Sequence, residues 1–136
     1  SVPVHCVDLL INCPTGILLG MRTNDPFKDR WWFPGGRQWK GELMEETARR
    51  IGREEMGVEV NVQQQVGTYD LMSPTSGFGD EVSTHTPATV YVVEPLEFEF
   101  DPDEQHTNLT IFDPLPEDPH PYLSRVYADA VSQGHI

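Results

Sequence analysis

The run GGRQWKGELMEETARRIGREEMGV, residues 35–58, decides how this chain folds. It opens on two glycines, where no side chain hides the backbone carbonyls and a bulky ligand can approach closely. From Glu42 to Met56 good helix formers dominate, and Leu43, Ala48 and Ile51 fall near one stripe. Gly57 reads as the glycine that ends the helix. Gly52 sits inside it at about 1 kcal/mol relative to alanine, which implies close packing or a lost side chain. Glu46, Arg50 and Glu54 are four apart, so they are expected to share a helix face and to form ion pairs. Glu55 stands one step round from Glu54, and two carboxylates then project from the last turn. A hard cation such as Mg²⁺ takes one or two carboxylates together with phosphate oxygens and water. One loop and one helix are therefore enough to hold a metal against a diphosphate. Glu45, Glu46 and Glu59 read as solvated surface carboxylates.

On the N-terminal side, Val2 to Ile11 alternates and then runs apolar, as a strand does on becoming buried. Asp8 inside it is out of place, because a buried carboxylate is costly without a partner. Residues 12–16 (Asn-Cys-Pro-Thr-Gly) are a turn, and Ile17 to Arg22 a second strand, so the two form a hairpin. Thr23 to Arg30 is a loop. Trp31-Trp32-Phe33 is closed by Pro34-Gly35-Gly36, which neither continues a strand nor starts a helix comfortably. Core packing is the favoured reading of Trp31 and Trp32 over stacking on a base.

On the C-terminal side, Val58 to Tyr69 alternates like a strand and Ser73 to Ser83 reads as an exposed loop. Thr89 to Val93, the half-buried Leu96 to Phe100 and the short Leu109 to Phe112 are further strands, with a polar loop over Asp101 to Thr107. Tyr122 to Val131 is a closing helix. Strands on both sides of a central helix, followed by a last helix, predict an α/β (α+β) architecture with a mixed β-sheet sandwiched between helices. The 136 residues are read as a single domain, 1–136. Ser1 falls inside a strand, so residues are expected to precede it.

Composition bounds the partners. Twenty-two Asp and Glu against nine Lys and Arg give a net charge of −13, which disfavours nucleic acid and anionic membrane surfaces. An anionic substrate must then meet local cations supplied by the site. Only Lys28 and Lys40 are lysines, and excess carboxylate with scarce lysine suggests adaptation to concentrated salt. No apolar run approaches the roughly 20 residues of a membrane span. Cys6 and Cys13 fit neither a disulfide framework nor a metal spacing. A soluble, cytoplasmic protein with reduced thiols is expected.

The spacing of Gly36, Glu42, Arg50, Glu54, Glu55, Gly57 and Val58 resembles the Nudix box. Ile51 stands where that box has a glutamate and Gly52 where it has an aliphatic residue. Three further stretches, residues 20–24 (Gly-Met-Arg-Thr-Asn), residues 32–37 (Trp-Phe-Pro-Gly-Gly-Arg) and residues 103–106 (Asp-Glu-Gln-His), look like the GDP-mannose mannosyl hydrolase branch, a resemblance covering roughly residues 4 to 130. Thr86 stands where that branch has a tyrosine, and the loop from Ser73 to Glu81 differs in character.

The resemblance implies a Nudix fold, a homodimer and cleavage of a nucleoside diphosphate sugar at the sugar carbon, with inversion and an oxocarbenium-like transition state. It implies one Mg²⁺, with Mn²⁺ as an alternative, held by the Gly35 carbonyl, Glu55 and Gln105. Glu54 is either a further metal contact or the partner of Arg50. Arg22 and Arg37 would bind diphosphate oxygens, since guanidinium forks match them. His106 would be the general base, with an ordinary pKa near neutrality. Asp8 would orient the sugar or stabilise positive charge on its ring, and His85 would stand at the substrate's edge. Gly36, Glu42, Arg50 and Gly57 would shape the box. Two other readings stay open: a pyrophosphohydrolase releasing nucleoside monophosphate and sugar phosphate, and a nucleotide-sugar sensor without turnover.

Overall fold

The computed structural model describes residues 4–24, 27–74, 83–97 and 108–136. Along the chain come β1 (Cys6–Cys13), β2 (Gly16–Met21), β3 (Trp31–Trp32), β4 (Gly35–Arg37) and α1 (Met44–Met56). They are followed by β5 (Val60–Pro74), β6 (Ser83–Pro95), β7 (Leu109–Phe112) and α2 (Pro121–Ser132). The described strands form one sheet in the order β3-β2-β1-β6-β5, with β4 added to β1 and β7 to β2. β1 runs parallel to β6 and the remaining pairings are antiparallel, so the sheet is mixed.

Alternation along β1 divides the core into two layers. Val7, Leu9 and Ile11 face α1, where Ala48, Ile51 and Met56 cover them. Leu10 packs with Leu19, Val90 and Val92 under Tyr122, Leu123, Val126 and Ala130 of α2. The sheet is thus sandwiched between two helices, as the sequence predicts. β1 and the centre of β6 are almost continuously apolar because both of their faces are covered. No helix among the described residues is long and apolar enough to cross a membrane.

Several boundaries differ from expectation, each for a local reason. β1 extends to Cys13, which pairs with Gly16 and is buried, so the turn shrinks to Pro14-Thr15. Cys6 and Cys13 are free thiols at opposite ends of one strand. The Gly35-Gly36 pair, read as a breaker, is the start of β4 and pairs with β1. α1 begins at Met44, not Glu42, and Leu43 is 71% exposed instead of contributing to the apolar stripe. β5 and β6 form a longer ribbon than predicted, taking in Ser73, Pro74 and Ser83 from the expected loop. Two bulges along β5 absorb the mismatch, and at the second the Gln133 side chain donates to the Val66 carbonyl at 3.1 Å. Leu96, expected in a half-buried strand, lies beyond the end of β6 and is 63% exposed. Residues 98–107 lie outside the described residues.

Gly52 is accounted for by close packing. A β-carbon there would lie 2.9 Å from Val60 Cγ1, so a glycine is what lets α1 approach β5. Gly57 ends α1 with φ of 72° and donates to the Arg53 carbonyl at 2.9 Å.

Candidate active site

A cavity of about 320 Å³ lies where the end of β2, the start of β4, the last turn of α1 and the residues before β7 meet. Arg22, Asn24, Trp32, Gly35, Glu55 and Asn108 are on its wall. Arg22 is placed by backbone bonds on both sides: its N–H donates to the Arg30 carbonyl at 3.0 Å and its carbonyl accepts from Asp29 at 2.9 Å. The Met21 N–H donates to the Asn108 carbonyl at 3.0 Å, closing the cavity on the β7 side.

The position of Gly35 relative to Glu55 depends on a clamp between the loop after β4 and α1. Arg50 grips the Glu42 carboxylate with both forks, Nε to Oε2 at 2.8 Å and Nη2 to Oε1 at 3.0 Å. Its Nη2 also donates to the Arg37 carbonyl at 2.7 Å, and its guanidinium lies 3.7 Å from the centre of the Trp39 ring. Glu42 Oε1 further accepts from the Thr47 hydroxyl at 2.7 Å and the Trp39 N–H at 3.1 Å. Those donors, Arg50 foremost, hold the Glu42 carboxyl down at about 2. Glu46 does not pair with Arg50 as expected. It accepts from the Leu43 N–H at 2.8 Å and caps the helix start, while Arg50 reaches Glu54 at 3.2 Å.

β4 presents Gly35 in a particular way. The Leu9 N–H donates to the Pro34 carbonyl at 2.8 Å, and Val7 is paired with Gly36. Between these two hydrogen-bonded pairs, Asp8 and Gly35 form a non-bonded pair, so the ladder leaves the Gly35 carbonyl unused. The Asp8 carboxylate lies across the Gly35 α-carbon, and any β-carbon at Gly35 would fall on Asp8 Oδ1. Asp8 is buried, and desolvation pushes its carboxyl up to about 6 against the lowering pull of the Tyr122 hydroxyl and Arg22. Tyr122 donates to Asp8 Oδ2 at 2.6 Å. Burial, followed by the Asp8 charge, raises the Tyr122 phenol, so it is the proton donor of the pair.

A profile of the NUDIX domain matches residues 3–119. The chain belongs to the NUDIX domain family. Among relatives of this Nudix protein, the low-salt glycan biosynthesis protein Agl8 of Haloferax volcanii is 37% identical over 131 residues, spanning 96% of this chain and 83% of that one. An ADP-ribose pyrophosphatase of Methanocaldococcus jannaschii is 39% identical over 67 residues, which is 49% of this chain and 40% of that one. A NUDIX hydrolase structure from Nitrosomonas europaea superposes with a TM-score of 0.75 at 17% identity, covering 97% of this chain and 90% of that one, and shares the fold.

Of the residues singled out from the sequence, the Nudix fold brings Arg22, Gly35 and Glu55 to one cavity. Asp8 lies behind Gly35 and is absent from the cavity wall. Glu54 pairs with Arg50, and its side chain is 53% exposed. Arg37 is exposed at the end of β4, and its carbonyl serves the Arg50 clamp. His85 pairs with Asp70 at 2.8 Å on the β5–β6 ribbon. Gln105 and His106 lie outside the described residues, three and two positions before Asn108 of the cavity wall. Trp32 is both core and wall: it is buried, stacks on Phe27 at 4.3 Å and lines the cavity. Sequence reasoning missed Asn108, Thr23 and Tyr122. Asn108 fell between an expected loop and an expected strand, Thr23 was part of the quoted stretch 20–24 but was given no role, and Tyr122 is 114 positions from the carboxylate it serves.

The donors fit a hard divalent cation. Among the described residues no group of three or more His, Cys, Asp and Glu side chains could hold a metal. A carboxylate at Glu55 and, on the same wall, the Gly35 carbonyl that the β1 ladder leaves unused are the oxygen donors that Mg²⁺ uses when a phosphate completes its shell.

Proposed function

We propose that this protein is a Mg²⁺-dependent hydrolase of a nucleoside diphosphate sugar of the GDP-mannose type. The reaction would cut at the anomeric carbon and release the nucleoside diphosphate and the free sugar with inversion. The observation that carries this reading is the convergence of Gly35, Glu55 and Arg22 on one cavity. Family membership and the relatives support, at the coarser level, hydrolysis of a nucleoside diphosphate derivative. A relative named for glycan biosynthesis agrees with a sugar-bearing substrate.

The Gly35 carbonyl, Glu55 and Gln105 would hold the cation, with Mn²⁺ as a substitute. When bound, it neutralises charge developing on the leaving diphosphate. Arg22 and Arg37 bind diphosphate oxygens through their guanidinium forks. His106 accepts the proton of the attacking water at its imidazole, the water oxygen bonds to the anomeric carbon, and the carbon–oxygen bond to the diphosphate breaks. Asp8, set behind Gly35, supplies negative charge that favours the oxocarbenium-like transition state. His85 stands at the substrate's edge. A homodimer of cytoplasmic subunits completes the proposal.

A second reading, phosphorus–oxygen cleavage, is favoured by the retained Glu54 and by the pyrophosphatase relative. Ile51 weighs against it: it is 1% exposed in the core beneath Gly36, where a further metal-binding carboxylate would otherwise stand. The test is product analysis by phosphorus NMR with GDP-mannose and Mg²⁺, at low and multimolar salt. GDP with free mannose is the expected outcome. GMP with mannose 1-phosphate would transfer the case to the second reading. Tight binding of the nucleotide sugar without turnover would indicate a sensor.

A further inference from the structure

Behind the cavity wall, Asp8 links the Gly35 strand to the second helix layer. Asp8 Oδ1 fills the space that a side chain at Gly35 would need, and Asp8 Oδ2 accepts from Tyr122 at 2.6 Å. The tyrosine is itself immobilised. Its ring packs against Trp32 at 5.4 Å, Phe33 at 5.6 Å and Tyr69 at 5.8 Å, and its N–H donates to His120 Nδ1 at 3.1 Å, the cap of α2. The hydroxyl is therefore a fixed point to which the carboxylate is tied.

We infer that Tyr122 is a positioning residue for the cavity, fixing the Asp8 carboxylate against Gly35 and so holding the Gly35 carbonyl toward Glu55. The inference rests on the proposed cation site. Gly35, like Arg37, pairs with β1 without a ladder bond; the Arg37 carbonyl is held by Arg50, whereas the Asp8 carboxylate packed on the α-carbon of Gly35 sets its place. Without the hydroxyl, a buried carboxylate loses its donor. Arg22, whose charge already acts on Asp8, is then a charge that can compensate it. A carboxylate turned that way leaves Gly35 unsupported and masks a cation on the cavity wall.

The molecule contains its own control. Tyr69 donates to Asp129 Oδ2 at 2.6 Å, also between a strand and α2, yet neither residue lines the cavity. Tyr122→Phe and Tyr69→Phe keep both rings and should lower the melting temperature to a similar extent. Only Tyr122→Phe is expected to weaken Mn²⁺ binding, read from the EPR signal of the free ion, by about tenfold or more. Only it should speed amide exchange at Gly36 and Leu9, the ladder positions flanking the Asp8–Gly35 pair, by about tenfold. The double variant Asp8→Asn/Tyr122→Phe should bind Mn²⁺ no more weakly than Asp8→Asn alone. Equal effects of the two tyrosine variants on both readouts would reduce Tyr122 to a structural residue. Additive losses in the double variant would remove Asp8 as its route. Should the wild type bind no Mn²⁺, the cation reading fails separately, and exchange at Gly36 and Leu9 alone decides the role of Tyr122.

Discussion

At the scale of single residues, the Glu42–Arg50 pair concentrates much of the local order. Their side chains are only 13% and 12% exposed, and Arg50 binds Glu42, Glu54 and the Arg37 carbonyl at once. Removing one partner of such a network is worse than the pair's net worth, because the other charge is left under-solvated. The Glu42 carboxyl is held at about 2, below its ordinary value of 4.5. A lowered carboxylate pKa contributes stability that is present above the unfolded value and lost as pH falls through the folded one. Melting temperatures measured between pH 5 and 2 should therefore fall more steeply in the wild type than in Glu42→Gln. The variant should start lower at neutral pH and converge with the wild type at the acid end. Parallel curves would mean that the clamp does not report on this titration. Gly35→Ala belongs to the same scale: its methyl group would displace the Asp8 carboxylate, so loss of Mn²⁺ binding by about tenfold is expected, measured by EPR.

Among the elements, the packing of α1 on β5 shows a sequence rule overturned by tertiary contact. Alanine at an internal helix glycine ordinarily gains about 1 kcal/mol. At Gly52 the added β-carbon would meet Val60 Cγ1 at 2.9 Å and Cγ2 at 3.0 Å. Overpacking of this kind costs about 1–3 kcal/mol, so Gly52→Ala is expected to be net destabilising in urea denaturation. Adding Val60→Ala should recover at least part of the loss, because volume is then moved across the interface and not added to it. If Gly52→Ala alone raised stability, the helix would have room to shift away from β5 and the close approach would not be a constraint.

For the molecule as a whole, charge is the dominant physical variable. A net −13 spread over 136 residues opposes the compact state unless it is screened. The Debye length falls from about 10 Å at 0.1 M salt to about 3 Å at 1 M, so simple repulsion is relieved mostly below 1 M. The proposed adaptation to concentrated salt predicts a melting temperature that keeps rising between 1 and 3 M KCl, followed by differential scanning calorimetry. A plateau below 1 M would describe an ordinary acidic protein. The relative from Haloferax volcanii makes the comparison worth extending to that protein under the same salts.

The run from Gly36 to Val58 was enough to announce the helix and its left-handed stop at Gly57, and the strand patterns on either side of it, with the closing helix, announced the mixed sheet between helices. These follow from local propensity and periodicity, which a sequence states directly. The carboxylates of the last helical turn pointed to Glu55, and the resemblance of residues 20–24 and 32–37 to a Nudix branch implied Arg22 and Gly35. What the sequence left open depended on contacts between distant segments. Gly35 and Gly36 look like a break until β1 supplies the partner strand. Glu42 reads as the first turn of a helix until Arg50, eight positions on, claims it from the loop. Asp8 is an anomalous carboxylate until Tyr122 arrives from the far end of the chain. A residue's type and spacing determine what it is able to bind, but only the tertiary fold decides which partner removes it from water.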